Sequence, residues 1–208
     1  MADETMFQKP VTVALTGASG AQYGLRLIDC LVAARHRVLV LISKAAQMVI
    51  ATETDVSLPS NPERLSEALR ERSGAVPGQI RCFAREDWMA PVASGSGAPS
   101  AMVICPCSTG TLSAVATGAS NNLIERAADV ALKERRQLIL VPRETPFSAI
   151  HLEHMLTLTR MGAVILPAAP GFYHRPQTLD DMIDFIVARI LNQLDIAHTL
   201  MPRWGEST

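Results

Sequence analysis

The stretch from Val11 to Gly24, VTVALTGASGAQYG, constrains this chain more than any other. A run of small and apolar residues ends in a small-residue turn, and an amphipathic run follows from Leu25 to Val32. The pattern predicts a buried strand, a tight loop and a helix start. A helix N-terminus gathers backbone N–H groups without intrahelical partners and a partial positive charge, so it suits phosphate. Gly17 and Gly20 let the backbone approach a ligand, and Ser19 can cap the helix or offer a hydroxyl. The glycine spacing is G-x-x-G-x-x-x-G, neither the dinucleotide G-x-G-x-x-G nor a P-loop. Two readings stand: a phosphate or nucleotide cradle, and a plain strand–turn–helix junction.

The rest of the chain repeats the unit. Strands are predicted over 12–16, 37–43, 80–83, 101–105, 138–141 and 163–166, with Pro106 ending the fourth. Helices are predicted over 21–34, 44–52, 62–72, from Ser108 onward, and over 123–135, 148–161 and 179–195. Residues 88–100 form the longest loop, rich in Gly, Ser, Pro and Ala. Strands alternating with helices imply right-handed crossovers and a parallel sheet. The composition agrees: 48% of residues are hydrophobic and only 4% aromatic, as suits strands covered on both faces. The expected fold class is α/β, a single-domain, Rossmann-like (flavodoxin-like) three-layer fold with a mostly parallel sheet. One domain spans 1–208, with tails at 1–10 and 199–208.

Several classes are disfavoured. A net charge of -1 suggests neither a nucleic-acid nor a membrane partner. No apolar run reaches a transmembrane span of roughly 18 residues, and the first ten residues lack a signal-peptide core. Cys30, Cys82, Cys105 and Cys107 have no zinc spacing and fit reduced thiols in a cytoplasmic protein. His151 and His154 lack an obvious third ligand, so no metal is expected.

In parallel sheets ligands bind outside the carboxyl ends of the strands. Those ends hold Gly17 to Gly20, Ser43, Cys107 to Thr111, Arg143 with Glu144, and Phe172 with Tyr173. Ser108, Thr109, Gly110 and Thr111 form a second loop suited to an anion. Two such loops in one sheet favour a flat, phosphate-bearing cofactor over a coincidence of helix caps. Arg143 can hold phosphate oxygens bidentately, and Glu144 can pass a proton. Arg126, Asp129 and Lys133 share a helix stripe, explained either by a solvated face with an Asp129–Lys133 pair or by a functional cluster. Arg189 lies among Ile186, Val187, Ile190 and Leu191, either facing an anion or snorkelling outward. Trp88 is a core plug or a π surface. Trp204 suits packing or an oligomer contact.

Seven segments together carry a resemblance: TGASGA from Thr16, SKAA from Ser43, PCS from Pro106, RAADV from Arg126, LKERR from Leu132, RETP from Arg143 and FYHRP from Phe172. With them the chain resembles the UbiX-type flavin prenyltransferases, within the flavoprotein group once labelled aromatic-acid decarboxylases. The resemblance covers about residues 11–203. It implies transfer of a dimethylallyl group from dimethylallyl monophosphate to N5 and C6 of reduced FMN. Phosphate is released, and prenylated FMN is made for a UbiD-type decarboxylase, with ubiquinone biosynthesis as the setting. It further implies no metal, and a homo-oligomer, commonly a dodecamer, whose active site is shared between chains. Carried over residue by residue, FMN falls on Gly17, Ala18, Ser19, Ser43, Ser108, Thr109, Gly110, Thr111 and Arg143. The prenyl phosphate falls near Arg126, Lys133, Glu144, Tyr173 and Arg189. Trp88 covers the isoprenyl chain, and Glu53 pairs with Ser19 in flavin proton handling. Two rivals share the sheet: an FMN-dependent decarboxylase of aromatic acids or peptidyl cysteine, and a non-enzymatic FMN carrier. The first typically needs a histidine at the first loop, and none of the five histidines falls there.

Overall fold

The computed structural model describes residues 7–201. Trp204 and the end of the C-terminal tail lie outside the described residues. The elements run β1 (Gln8–Leu15), α1 (Ala21–Ala33), β2 (His36–Ile42), α2 (Lys44–Glu53), α3 (Pro62–Ser73) and β3 (Ile80–Cys82). A short 3-10 turn (Pro91–Ala93) precedes β4 (Ala101–Cys107), α4 (Thr109–Ala116), α5 (Leu123–Lys133) and β5 (Gln137–Pro142). Then come α6 (Ala149–Arg160), β6 (Val164–Ile165) and α7 (Leu179–Gln193). The six strands form one sheet in the order β3-β2-β1-β4-β5-β6. Every pairing is parallel.

Strand alternation builds the three layers. Val11, Val13, Leu15, Val38, Val40, Val103 and Ile139 point to one face, where Leu27 and Ile28 of α1, Leu65 of α3 and Ile190 of α7 cover them. Ala14, Leu39, Leu41, Met102, Ile104, Leu138 and Leu140 point to the other, under Leu112 of α4, Ala127 of α5 and Leu158 of α6. The chain therefore winds outward in both directions from β1 and β4. Their carboxyl ends form the switch point at which doubly wound sheets bind ligands.

Two strand boundaries differ most from the sequence pattern. The first strand begins at Gln8, inside the stretch assigned to a tail, and stops at Leu15. The fourth does not end at Pro106 but continues to Cys107, which pairs with Pro142. The register shifts between Ile104 and Cys107, and the residue lacking an N–H falls inside that irregularity. The Pro106 carbonyl instead accepts the Thr16 amide at 3.2 Å. Within residues 55–78 the predicted helix over 62–72 is present as α3. It is capped by Asn61 at its start and by left-handed Gly74 at its end.

Gly24 closes the opening motif by packing. A Cβ there would lie 2.3 Å from the Cys105 carbonyl oxygen and 2.9 Å from Leu15. Its absence lets α1 lie close on β1 and β4, which carries the start of α1 to the switch point.

Candidate functional site

Three helices begin at one cleft beyond the carboxyl edge of the sheet. Ser43 caps α2, its Oγ accepting the Ala46 amide at 3.0 Å. Ser108 caps α4 in the same way through Thr111, at 3.2 Å. Asn122 caps α5, its Oδ1 accepting the amides of Ile124 and Glu125. At α2 and α4 the cap satisfies an inner donor and leaves the two amides before it without an intrahelical partner, whereas at α5 Asn122 takes the amides of Ile124 and Glu125 and the Arg85 carbonyl takes that of Leu123. The cleft between them has a volume of about 550 Å³ and is lined by Gly17, Ser43, Ser108, Gly110, Thr111 and Asn122. Lys44 and Arg85 add positive charge, while Leu41, Phe83 and Leu123 give an apolar wall. The open amides of two helix N-termini and two cations, offset in part by the Glu125 carboxylate that also lines the cleft, favour an anion. A Cβ on Gly110 would meet nothing within 4 Å, so the first turn of α4 is open above its backbone. A polar anion cradle beside an apolar wall is the donor set that a phosphate-bearing flavin needs.

A second cleft, about 440 Å³, lies on the other side of the Gly17–Gly20 loop and is lined by Ser19, Glu53, Arg143, Tyr23 and Met182 among others. Its floor is a cap supplied from a distance. Helix α1 starts at Gly20, which is left-handed at φ 104 and provides no side-chain cap. Ser19 therefore does not cap it. Oε2 of Glu53, the last residue of α2, accepts the amides of Gly20 at 2.8 Å and Ala21 at 3.1 Å. The Gln22 side chain holds the Glu53 carbonyl at 3.1 Å. Burial opposes the charge on Glu53. The Ser19 hydroxyl, the two amides and the Arg143 guanidinium outweigh it and hold the carboxyl below its ordinary range. Nε of Arg143 donates to the Ser19 carbonyl at 3.2 Å, so the β5 end is tied to the first loop.

The structure thus brings Gly17, Ser43, Ser108, Gly110 and Thr111 to one cleft, and Ser19, Glu53 and Arg143 to the next. Ala18 is buried within the loop and Thr109 is half-buried; neither lines either cleft. The remaining candidates stand apart. Arg126 donates to the Ala93 carbonyl and to Asp129 at 3.0 Å each. Lys133 pairs with its neighbour Glu134. The expected Asp129–Lys133 pair is replaced by these two. Glu144 accepts the next amide, Thr145, at 3.0 Å. Trp88 is 48% exposed and Tyr173 70% exposed. Arg189 is exposed while Ile186, Val187, Ile190 and Leu191 around it are buried. It turns outward and forms no ion pair among the described residues.

The two cysteines of β4 are buried and line neither cleft. Cys105 and Cys107 are fully buried, and burial pushes the Cys107 thiol up to about 12. Such thiols stay protonated and inert. Among the described residues no group of three His, Cys, Asp or Glu side chains could hold a metal ion. His151 is used in a cap, its Nδ1 facing the Ser148 amide at 3.2 Å. No helix among the described residues is long and apolar enough to cross a membrane.

Lys44, Arg85 and Asn122 of the first cleft escaped the sequence reading, as did Thr16, which bonds to Ser108. Asn122 reads as a chain break, yet it caps α5 at the cleft; the signal was Asn followed three positions later by an acidic residue. Thr16, 2% exposed, is one of three buried polar residues among those described. Its signal was a hydroxyl at the end of an otherwise apolar strand.

Comparison with known proteins follows the same lines. A family model described as Flavoprotein matches residues 2–191. A flavin prenyltransferase UbiX from Pseudomonas aeruginosa is 70% identical over 196 residues, 94% of each chain. A crystal structure of AnUbiX (PadA1) in complex with FMN and dimethylallyl pyrophosphate superposes with a TM-score of 0.85 at 37% identity, covering 97% of this chain and 100% of that one. A dodecameric FMN-dependent UbiX-like decarboxylase from Escherichia coli O157:H7 superposes at 0.83 with 36% identity, over 95% and 100% of the two chains.

Proposed function

The chain belongs to the flavoprotein family, among the flavin prenyltransferases named UbiX, and on that premise we propose that it transfers a dimethylallyl group from dimethylallyl monophosphate to reduced FMN. The observation that carries the reading is the anion cradle at the N-termini of α2 and α4, set beside the Ser19–Glu53 pair. Reduced FMN, when bound, supplies the electron-rich N5 and C6 atoms to which the group is attached. Ser43, Ser108, Gly110 and Thr111 would hold its phosphate and the adjoining chain. Gly17 and Ser19 would lie toward the ring, with Arg143 bracing their loop.

The protein's own residues then have distinct tasks. Loss of phosphate from an allylic carbon leaves positive charge on carbon and negative charge on the leaving oxygens. Arg126, Lys133 and Arg189 would stabilise those oxygens, and Glu144 would give them a proton. The face of Trp88 would stabilise the allyl cation by about 1–2 kcal/mol. Glu53, held as an anion, would orient the Ser19 hydroxyl for proton handling at the ring. Trp88, Lys133, Tyr173 and Arg189 are all exposed, which supports a site completed by a neighbouring subunit. The dodecameric relative supports the same assembly here. The product, prenylated FMN, would serve a UbiD-type decarboxylase, with ubiquinone biosynthesis as the setting and the cytoplasm as the place.

The test is a mass spectrum of the flavin released after incubation with reduced FMN and dimethylallyl monophosphate. A gain of one prenyl unit supports the proposal. Unchanged flavin overturns it, and turnover of an aromatic acid in the same preparation would put a decarboxylase in its place.

A further inference from the structure

Thr16 is buried at the junction of the two anion-facing loops and belongs to neither. Its hydroxyl donates to the Pro106 carbonyl at 2.9 Å. The same oxygen accepts the Ser108 amide at 2.7 Å. Its backbone amide also donates to the Pro106 carbonyl, at 3.2 Å. One side chain therefore pins the end of β1 to the end of β4 across 90 and 92 positions of sequence, with both hydroxyl roles used. The bond to Ser108 matters most. Ser108 is the N-cap of α4, and its amide is turned inward onto Thr16, away from the cleft. That orientation leaves Ser108 Oγ to close the cap on Thr111, at 3.2 Å from the amide and 3.0 Å from the hydroxyl. The amides of Thr109 and Gly110 then form the open first turn.

We infer that Thr16 is a positioning residue for the flavin phosphate: its hydroxyl fixes the Ser108 turn in the orientation that presents the α4 amides to the phosphate. The inference rests on the flavin reading of the site. It assigns Thr16 no contact with the ligand, since the residue is 2% exposed and lines neither cleft. A valine at this position keeps the shape and removes both hydrogen bonds, leaving the Ser108 amide unpaired. The turn then has no anchor, and binding of the phosphate should suffer while binding of the ring should not.

Riboflavin, which lacks the phosphate, separates the two. Fluorescence titrations of wild type, Thr16→Val and Thr16→Ser with FMN and with riboflavin give the test. The expected result is a Kd for FMN raised about tenfold in Thr16→Val, the order of one lost buried hydrogen bond. The Kd for riboflavin should stay within about twofold, and Thr16→Ser, which keeps the hydroxyl, should return FMN binding to near wild type. Equal weakening of both flavins would make Thr16 a merely structural residue and overturn the inference. So would wild-type FMN binding in Thr16→Val. If Thr16→Val does not yield folded protein, Thr16→Ala is carried through the same titrations, where the same results support or overturn the inference. Wild-type protein that binds neither flavin overturns the flavin reading itself, a result distinct from any failure of the variant.

Discussion

The Glu53 carboxylate accepts the Gly20 amide at 2.8 Å across 33 positions of sequence, so the last residue of one helix caps the first turn of another. The contact joins a structural task to a chemical one. The same carboxylate that satisfies α1 also receives the Ser19 hydroxyl. Because Glu53 is held below its ordinary value of 4.5, the stability it contributes is present above that value and is lost as pH falls through the lowered one. Glu53→Gln keeps an acceptor and loses the charge. Urea unfolding of wild type and Glu53→Gln should show a stability gap that is widest near neutral pH and closes in acid. A gap that does not change with pH would mean the charge contributes nothing.

Ser19 is freed from capping by that arrangement. Ser19→Ala should cost no more than about 1.5 kcal/mol of stability, the order of one lost hydrogen bond, and should retain FMN. Product formation should fall at least about tenfold if the hydroxyl assists proton transfer. Normal turnover in a flavin-bound variant would return Ser19 to a passive loop position.

Two glycines give opposite predictions for the same added methyl. In Gly24→Ala the Cβ meets the Cys105 carbonyl oxygen at 2.3 Å, and overpacking should cost about 1–3 kcal/mol of stability. In Gly110→Ala the Cβ meets nothing, and a better helix former should leave thermal stability unchanged or raised by up to about 1 kcal/mol. FMN affinity should nevertheless drop in Gly110→Ala, because the methyl stands in the open first turn of α4. Calorimetry and a flavin titration on both variants separate the protein's own packing from the ligand's. Full FMN affinity in Gly110→Ala would move the phosphate away from that turn.

Lys133→Ala and Glu144→Gln touch no part of either cleft within one chain. Both should bind FMN like wild type and lose turnover, by about a hundredfold for Lys133→Ala if it stabilises the departing phosphate. Single-turnover assays on flavin-loaded protein decide it, and normal rates would remove both residues from the leaving-group role.

What could be seen in the sequence was what is local. Ser43 and Ser108 each end a strand and begin a helix, so capping and site were visible together. Alternation along Val11, Val13 and Leu15 marks a buried strand before any partner is known. Contacts made at long range were not visible. Glu53 sits at a predicted helix end with nothing to mark the amides it meets. Thr16 reads as the last residue of a strand. Pro106 is expected to stop β4, since a missing N–H normally breaks a ladder. Its register shift takes up that loss, and only the three-dimensional pairing shows it. The side to which Arg189 turns was hidden for a related reason: its neighbours in sequence are buried, but one helix position rotates it to the other side.

The cleft where α2 and α4 begin draws part of its positive potential from peptide groups. Peptide dipoles do not titrate, and no single side-chain replacement removes them. Affinity for an anion there should hold from mildly acid to mildly alkaline conditions and should resist mutational drift at Lys44 and Arg85. Evolution can alter which molecule fits the apolar wall while the phosphate handle stays in place. A scaffold of this kind is suited to diversify in chemistry while conserving its grip.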